Sequence, residues 1–65
     1  MAEKKSLALA MEEARQLSIE HPGVLYRVMD KPRERAIVTG SDWVYRERIL
    51  EGWHCLFQIR DGKML

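Results

Sequence analysis

One cysteine, two prolines, two histidines and no apolar run approaching the length of a membrane span mark what this sequence lacks. With Cys55 alone, neither an intramolecular disulfide nor a cysteine-based zinc site can form. His21 and His54 lie far apart in the chain and have no ligand cluster beside them, so no metal site is expected. The four glycines are isolated from one another, which excludes a glycine-rich phosphate loop and leaves each as turn punctuation. Charge of one sign is also missing. Eleven Lys and Arg against ten Asp and Glu give a formal net charge of +1, so no strong field over the whole molecule favours nucleic acid or an anionic membrane.

What is present fits one small globular unit. The chain has 65 residues, 46% hydrophobic and 32% charged, and a chain this short buries only about 60% of the surface its unfolded form exposes. The polar Met1–Lys5 start lacks the apolar stretch of a secretory signal. The expectation is a cytoplasmic protein with a flexible segment over residues 1–5 and a single small α+β domain over residues 6–65.

The pattern from Leu7 to Glu20 is helical. Leu7, Ala10, Met11, Ala14 and Leu17 recur at spacings of three and four, with Ser6 as N-cap and His21-Pro22-Gly23 as terminator. Val24 to Asp30 alternates as a strand, with Val24, Tyr26 and Val28 assigned inward. A loop of about five residues around Pro32 leads to a short β-branched strand over Arg35–Thr39, which gives an antiparallel hairpin. The face taken by Ile37 is not decided by the pattern. Ser41 or Asp42 caps a second helix over Asp42–Glu51, and Gly52 ends it. Trp53, Cys55, Phe57 and Ile59 then alternate with polar or exposed positions in the clearest strand of the chain. Asp61-Gly62 signals a turn, after which Lys63–Leu65 either return as a strand or hang free.

The order α-β-β-α-β implies a two-layer α+β sandwich, with a three-stranded, mainly antiparallel sheet and both helices on one face. The expected core is Leu7, Ala10, Ala14, Leu17, Tyr26, Val28, Trp43, Leu50, Trp53, Cys55 and Phe57.

No catalytic constellation emerges. His54 and Cys55 are neighbours in sequence, but consecutive strand residues point to opposite faces, so they cannot act as base and nucleophile. No catalytic residue, cofactor, metal or small-molecule substrate is expected. A chain this small has difficulty building both a core and a walled pocket.

Two surfaces remain. The uncovered sheet face would display Leu25, Arg27, Met29, Leu56, Gln58 and Arg60, apolar residues rimmed by polar ones as at an interface. Tyr45 and Arg46 on the second helix are residue types enriched at binding hot spots. The leading expectation is therefore a non-enzymatic protein-interaction or regulatory module, of the kind found among small accessory proteins of bacteria or their phages. It would act through its open sheet face or a sheet edge, on a protein partner or on itself as a homodimer. The alternative is a nucleic-acid-binding accessory. The hairpin carries Arg27, Lys31, Arg33 and Arg35 against Asp30 and Glu34, a local charge of +2, and Lys31, Arg33, Arg35 and Arg48 would contact phosphates.

Overall fold

The computed structural model describes residues 4–65. Of the expected flexible segment, residues 1–3 lie outside the described residues. The elements are α1 (Leu7–Glu20), β1 (Tyr26–Lys31), β2 (Glu34–Val38), α2 (Asp42–Leu50), β3 (His54–Arg60) and β4 (Lys63–Met64). The α+β class holds, but the sheet has four strands rather than three, in the order β2-β1-β3-β4 with every neighbouring pair antiparallel.

Both helices start where the sequence places them. The hydroxyl of Ser6 accepts from the backbone N–H of Leu9 at 3.1 Å, and that of Ser41 from Val44 at 3.4 Å. Each satisfies one of the backbone donors that a helix N-terminus leaves unpaired. The β1–β2 hairpin is tighter than expected. Lys31 pairs with Glu34, so Pro32 and Arg33 alone make the turn. The fixed φ of proline suits the first turn position.

The fourth strand follows from Asp61-Gly62. Both have positive φ, 53° and 77°, the conformation that a two-residue hairpin turn needs to match strand twist. Two side chains tie this turn to the end of α1. The Ser18 hydroxyl accepts from the Gly62 N–H at 2.8 Å and donates to the Arg15 carbonyl at 2.7 Å. The Asp61 carboxylate accepts from the Gly23 N–H at 2.8 Å. Ser18, fully buried, is the only buried polar residue among those described. A Cβ on Gly62 would lie 3.0 Å from the exposed Ile19 side chain, which would have to give by a few tenths of an ångström, so it is mainly the positive φ that favours glycine here.

Ala10 and Ala14 let α1 lie close on the sheet. They form one core cluster with Tyr26, Val28 and Ile59, flanked by Leu17, Ile37 and Phe57. Ile37, undecided in the sequence, thus belongs to this side. Met29 and Trp53 are also buried, but outside that cluster. The register explains the division. A β-bulge falls where Val28 pairs with Phe57 but Met29 pairs with Cys55, leaving Leu56 as the extra residue. Phe57 and Ile59 therefore share the α1 face with Val28 and Tyr26. Cys55 goes with Met29, and Trp53 lies against Lys31, whose ammonium sits 4.9 Å from its ring centroid. The unbroken alternation in the sequence does not reveal this split.

The contacts of α2 correct the expectation that both helices cover one face. Arg27 lies between Tyr26 and Val28 on a central strand, so its side chain leaves the sheet on the side away from α1. It stacks on Tyr45 of α2, 4.1 Å from the ring centroid, and pairs with Asp42 of α2 at 3.4 Å. Strand order supplies the reason. β2 and β3 are each antiparallel to β1 and hence parallel to each other, so the chain must cross β1 over one face to join them. α2 is that crossover. The core expectation is corrected accordingly. Leu7, Trp43 and Leu50 are exposed at 37%, 66% and 87%, whereas Met29, Ile59 and Ser18 are buried.

Candidate interaction surface on the second helix

The sheet face expected to be open does not stand free. Met29, assigned to it as a contact residue, is completely buried. Arg27 keeps only 11% of its side-chain surface, under Tyr45 and Asp42. Leu25 is half-buried. Leu56, Gln58 and Arg60 are exposed, but without Met29 and Leu25 they no longer rim an apolar patch. Tyr45 is half-buried on the sheet side of α2, while Arg46 is exposed.

What α2 turns outward is different. At about 100° per residue, Val44, Tyr45, Arg48 and Ile49 occupy one side of the helix. The first three are half-buried. Trp43, Arg46, Glu47 and Leu50 occupy the opposite side, and all four are exposed. None of the nine residues of α2 is buried. The helix is held by the Arg27 stack, the short connections at its two ends and a few contacts with β3. The Trp53 N–H bonds back to the Arg48 carbonyl at 3.0 Å. Arg48 itself pairs with Glu51 at 3.6 Å. Neither Arg46 nor Glu47 forms an ion pair among the described residues.

Sequence reasoning missed this stripe because it placed Trp43 and Leu50 in the core. α2 has two apolar sectors, Val44–Tyr45–Ile49 and Trp43–Leu50, and pattern alone does not say which faces in. The charged pair lying between Trp43 and Leu50 was the available signal, since Arg46 and Glu47 would both have to be buried with them.

A second assembly lies at the hairpin end. Lys4, Lys5, Lys31, Arg33 and Arg35 line a hollow of about 830 Å³ together with Pro32, Glu34, Ala36 and Trp53. Lys31, Arg33 and Arg35 thus come together as the sequence suggests. Arg48 does not join them, and Lys4 and Lys5 do so unforeseen. Much of this charge is already committed. Asp30 accepts from both Lys4, at 2.7 Å, and Arg35, at 3.1 Å, while Lys5 pairs with Glu13. Lys4 also donates to the Lys31 carbonyl, and Arg35 to that of Lys5. The hydrogen bond and charge of Lys4, aided by Arg35, hold the Asp30 carboxyl below its ordinary pKa against the opposing effect of burial. Of the five cations that line the hollow, only Lys31 and Arg33 have no anionic partner among the described residues, and Lys31 rests on Trp53.

Cys55 is half-buried, its thiol 3.6 Å from the Phe57 carbonyl. Burial pushes the thiol pKa up, partly offset by the nearby Arg27 charge. This is the reverse of what activates a cysteine nucleophile. Among the described residues no group of three His, Cys, Asp or Glu side chains is placed to hold a metal ion, and no helix is long and apolar enough to cross a membrane. Comparison with protein-family models, curated proteins and solved structures finds no match to this chain.

Proposed function

We propose that this protein is a non-enzymatic protein-interaction module and that it meets its partner through the outward stripe of α2. One observation carries the reading: Trp43 and Leu50 are 66% and 87% exposed on the same side of a helix that buries none of its residues. A chain this short of core gains by burying a tryptophan and a leucine, and leaving both wet forgoes that gain. Tryptophan and arginine side by side, edged by charge, match the composition of binding hot spots. The free edge of β2 is a poorer candidate, because Glu34 and Arg35 blunt it with charge.

The test replaces Trp43→Ser and Leu50→Ser together. Because both side chains are exposed, stability should change by no more than about 0.5 kcal/mol per site. Affinity capture from cells that make the protein should lose the proteins that the native chain retains. An unchanged capture profile refutes the reading, and so does a collapse in stability, which would show the stripe to be core.

The gathering of Lys4 and Lys5 with the hairpin cations favours a second reading, in which the basic hollow receives the phosphates of a nucleic acid. Only two of its cations are uncommitted, so a log-log salt slope no steeper than about two is expected, and Arg33→Ala should reduce it by about one. No binding to single or double strands at low salt removes this reading.

A further inference from the structure

The outward stripe of α2 is self-complementary about a two-fold axis, and we infer that its partner is a second copy of this chain. The inference rests on the interface reading of α2 and names the occupant. Four exposed residues make the stripe, in the order Trp43, Arg46, Glu47, Leu50. Set two such helices antiparallel with the axis passing between Arg46 and Glu47. Trp43 then lies opposite Leu50 of the second copy, and Arg46 lies opposite its Glu47. The two-fold repeats each contact, giving two Trp–Leu pairs at the ends and two ion pairs at the centre. This is the isologous geometry in which one patch serves both partners. The opposite, parallel arrangement would set Trp43 on Trp43 and place Arg46 against Arg46.

The charges are available for this role. Arg46 and Glu47 are adjacent in the helix and so do not face each other within one chain. Neither is engaged elsewhere among the described residues. Their neighbours are committed within the chain, Asp42 to Arg27 and Arg48 to Glu51, so the pair left over is the one that a two-fold partner satisfies. A foreign partner would have to supply a complementary surface, whereas this stripe, apolar–basic–acidic–apolar along the helix, is its own complement when a second copy runs antiparallel to it. The area sets the strength. α2 has nine residues, about 13 Å of helix, so the contact falls below the size of a standard stable interface and the dimer is a weak one, with dissociation in the micromolar range or above.

Light scattering and sedimentation of the native chain, from about 10 µM to about 1 mM, test this directly. The native chain should pass from monomer to dimer across that range. Leu50→Glu should remain monomeric. Arg46→Glu sets like charges opposite each other at two symmetric places and should weaken association roughly tenfold or more. The double change Arg46→Glu with Glu47→Arg restores opposite charges and should recover native association, a result that an unspecific apolar patch would not give. Circular dichroism must show native helix content in each variant, which the exposure of all three sites leads us to expect. A native chain monomeric at the highest concentration overturns the inference, as does a dimer indifferent to Leu50→Glu or to the charge exchange. The two failures separate. If the native chain is monomeric but Leu50→Glu abolishes capture of a foreign protein, the second copy alone is wrong. If the variant captures as the native chain does, the interface reading of α2 falls with it.

Discussion

Arg27 should answer two substitutions in opposite ways, and the difference tests whether α2 lies over β1. Its side chain is 11% exposed, so its three-methylene stem is almost entirely packed. Truncation to alanine removes about 2 kcal/mol of burial at roughly 0.8 kcal/mol per methylene. It also removes the stack on Tyr45, worth about 1 kcal/mol. The ion pair adds only a few tenths of a kcal/mol, because the Asp42 carboxylate is 89% exposed and screened by water. In the other direction, the Arg27 Nε is buried without a hydrogen-bond partner among the described residues, and deleting it relieves about 1 kcal/mol. The balance for Arg27→Ala is a loss of about 2–3 kcal/mol. Arg27→Met keeps the stem, loses the stack and relieves the same Nε, so it should fall within about 1 kcal/mol of the native chain. In thermal unfolding followed by circular dichroism, Arg27→Ala should lower Tm by about 10–20 °C and Arg27→Met by no more than about 5 °C. A double-mutant cycle with Tyr45→Leu should give a coupling of about 1 kcal/mol. Equal destabilisation by both Arg27 variants, together with zero coupling, would mean that this side chain does not join α2 to β1. The helix would then belong elsewhere.

Other sites make independent demands. Ser18→Ala leaves the Gly62 N–H without its acceptor and should cost about 1–2 kcal/mol, with faster amide exchange at Gly62; native stability would mean that the β4 turn is not tied to α1. Because its paired cations depress the Asp30 pKa in the folded state, the stability it contributes is present above the ordinary carboxylate value of 3.8 and is lost as pH falls through the lower folded value. Asp30→Asn should abolish that part of the acid transition, and an identical acid-unfolding curve would refute the pairing. Cys55, with its thiol pKa raised, should react with iodoacetamide at neutral pH more slowly than a cysteine in the unfolded chain. A faster reaction would contradict the buried, unactivated thiol.

The helices were legible in the sequence because their signals are local. Three- and four-residue spacing, Ser6 and Ser41 at the caps, and the His21-Pro22-Gly23 stop all act within a few residues. The α+β class followed from the same signals. What escaped depends on partners distant in sequence. The alternation from Trp53 to Ile59 is regular, yet a single extra residue at Leu56 sends its two halves to opposite faces, and only the pairing with β1 shows it. The placement of α2 follows from strand order, which no local pattern contains. The candidate site was legible only in part. Of the two residues expected to make contacts from the second helix, Arg46 is exposed and Tyr45 half-buried. The hydrophobicity of Trp43 and Leu50 points them to the core although both are exposed, and the strand pattern gives no sign that Met29 is buried.

The two tryptophans give the most direct measurement of the central claim, since one is 66% exposed on α2 and the other is 8% exposed beneath Lys31. Their indole N–H resonances are separate nitrogen-15 NMR reporters within one molecule. Followed from about 10 µM to about 1 mM, the Trp43 resonance should shift along a saturable curve while that of Trp53 stays in place. Leu50→Glu should flatten the Trp43 curve. A Trp43 resonance that does not move with concentration, or a shift centred instead on Trp53 and the hairpin amides, would contradict the assignment of α2 as the surface through which the chain meets its own copy.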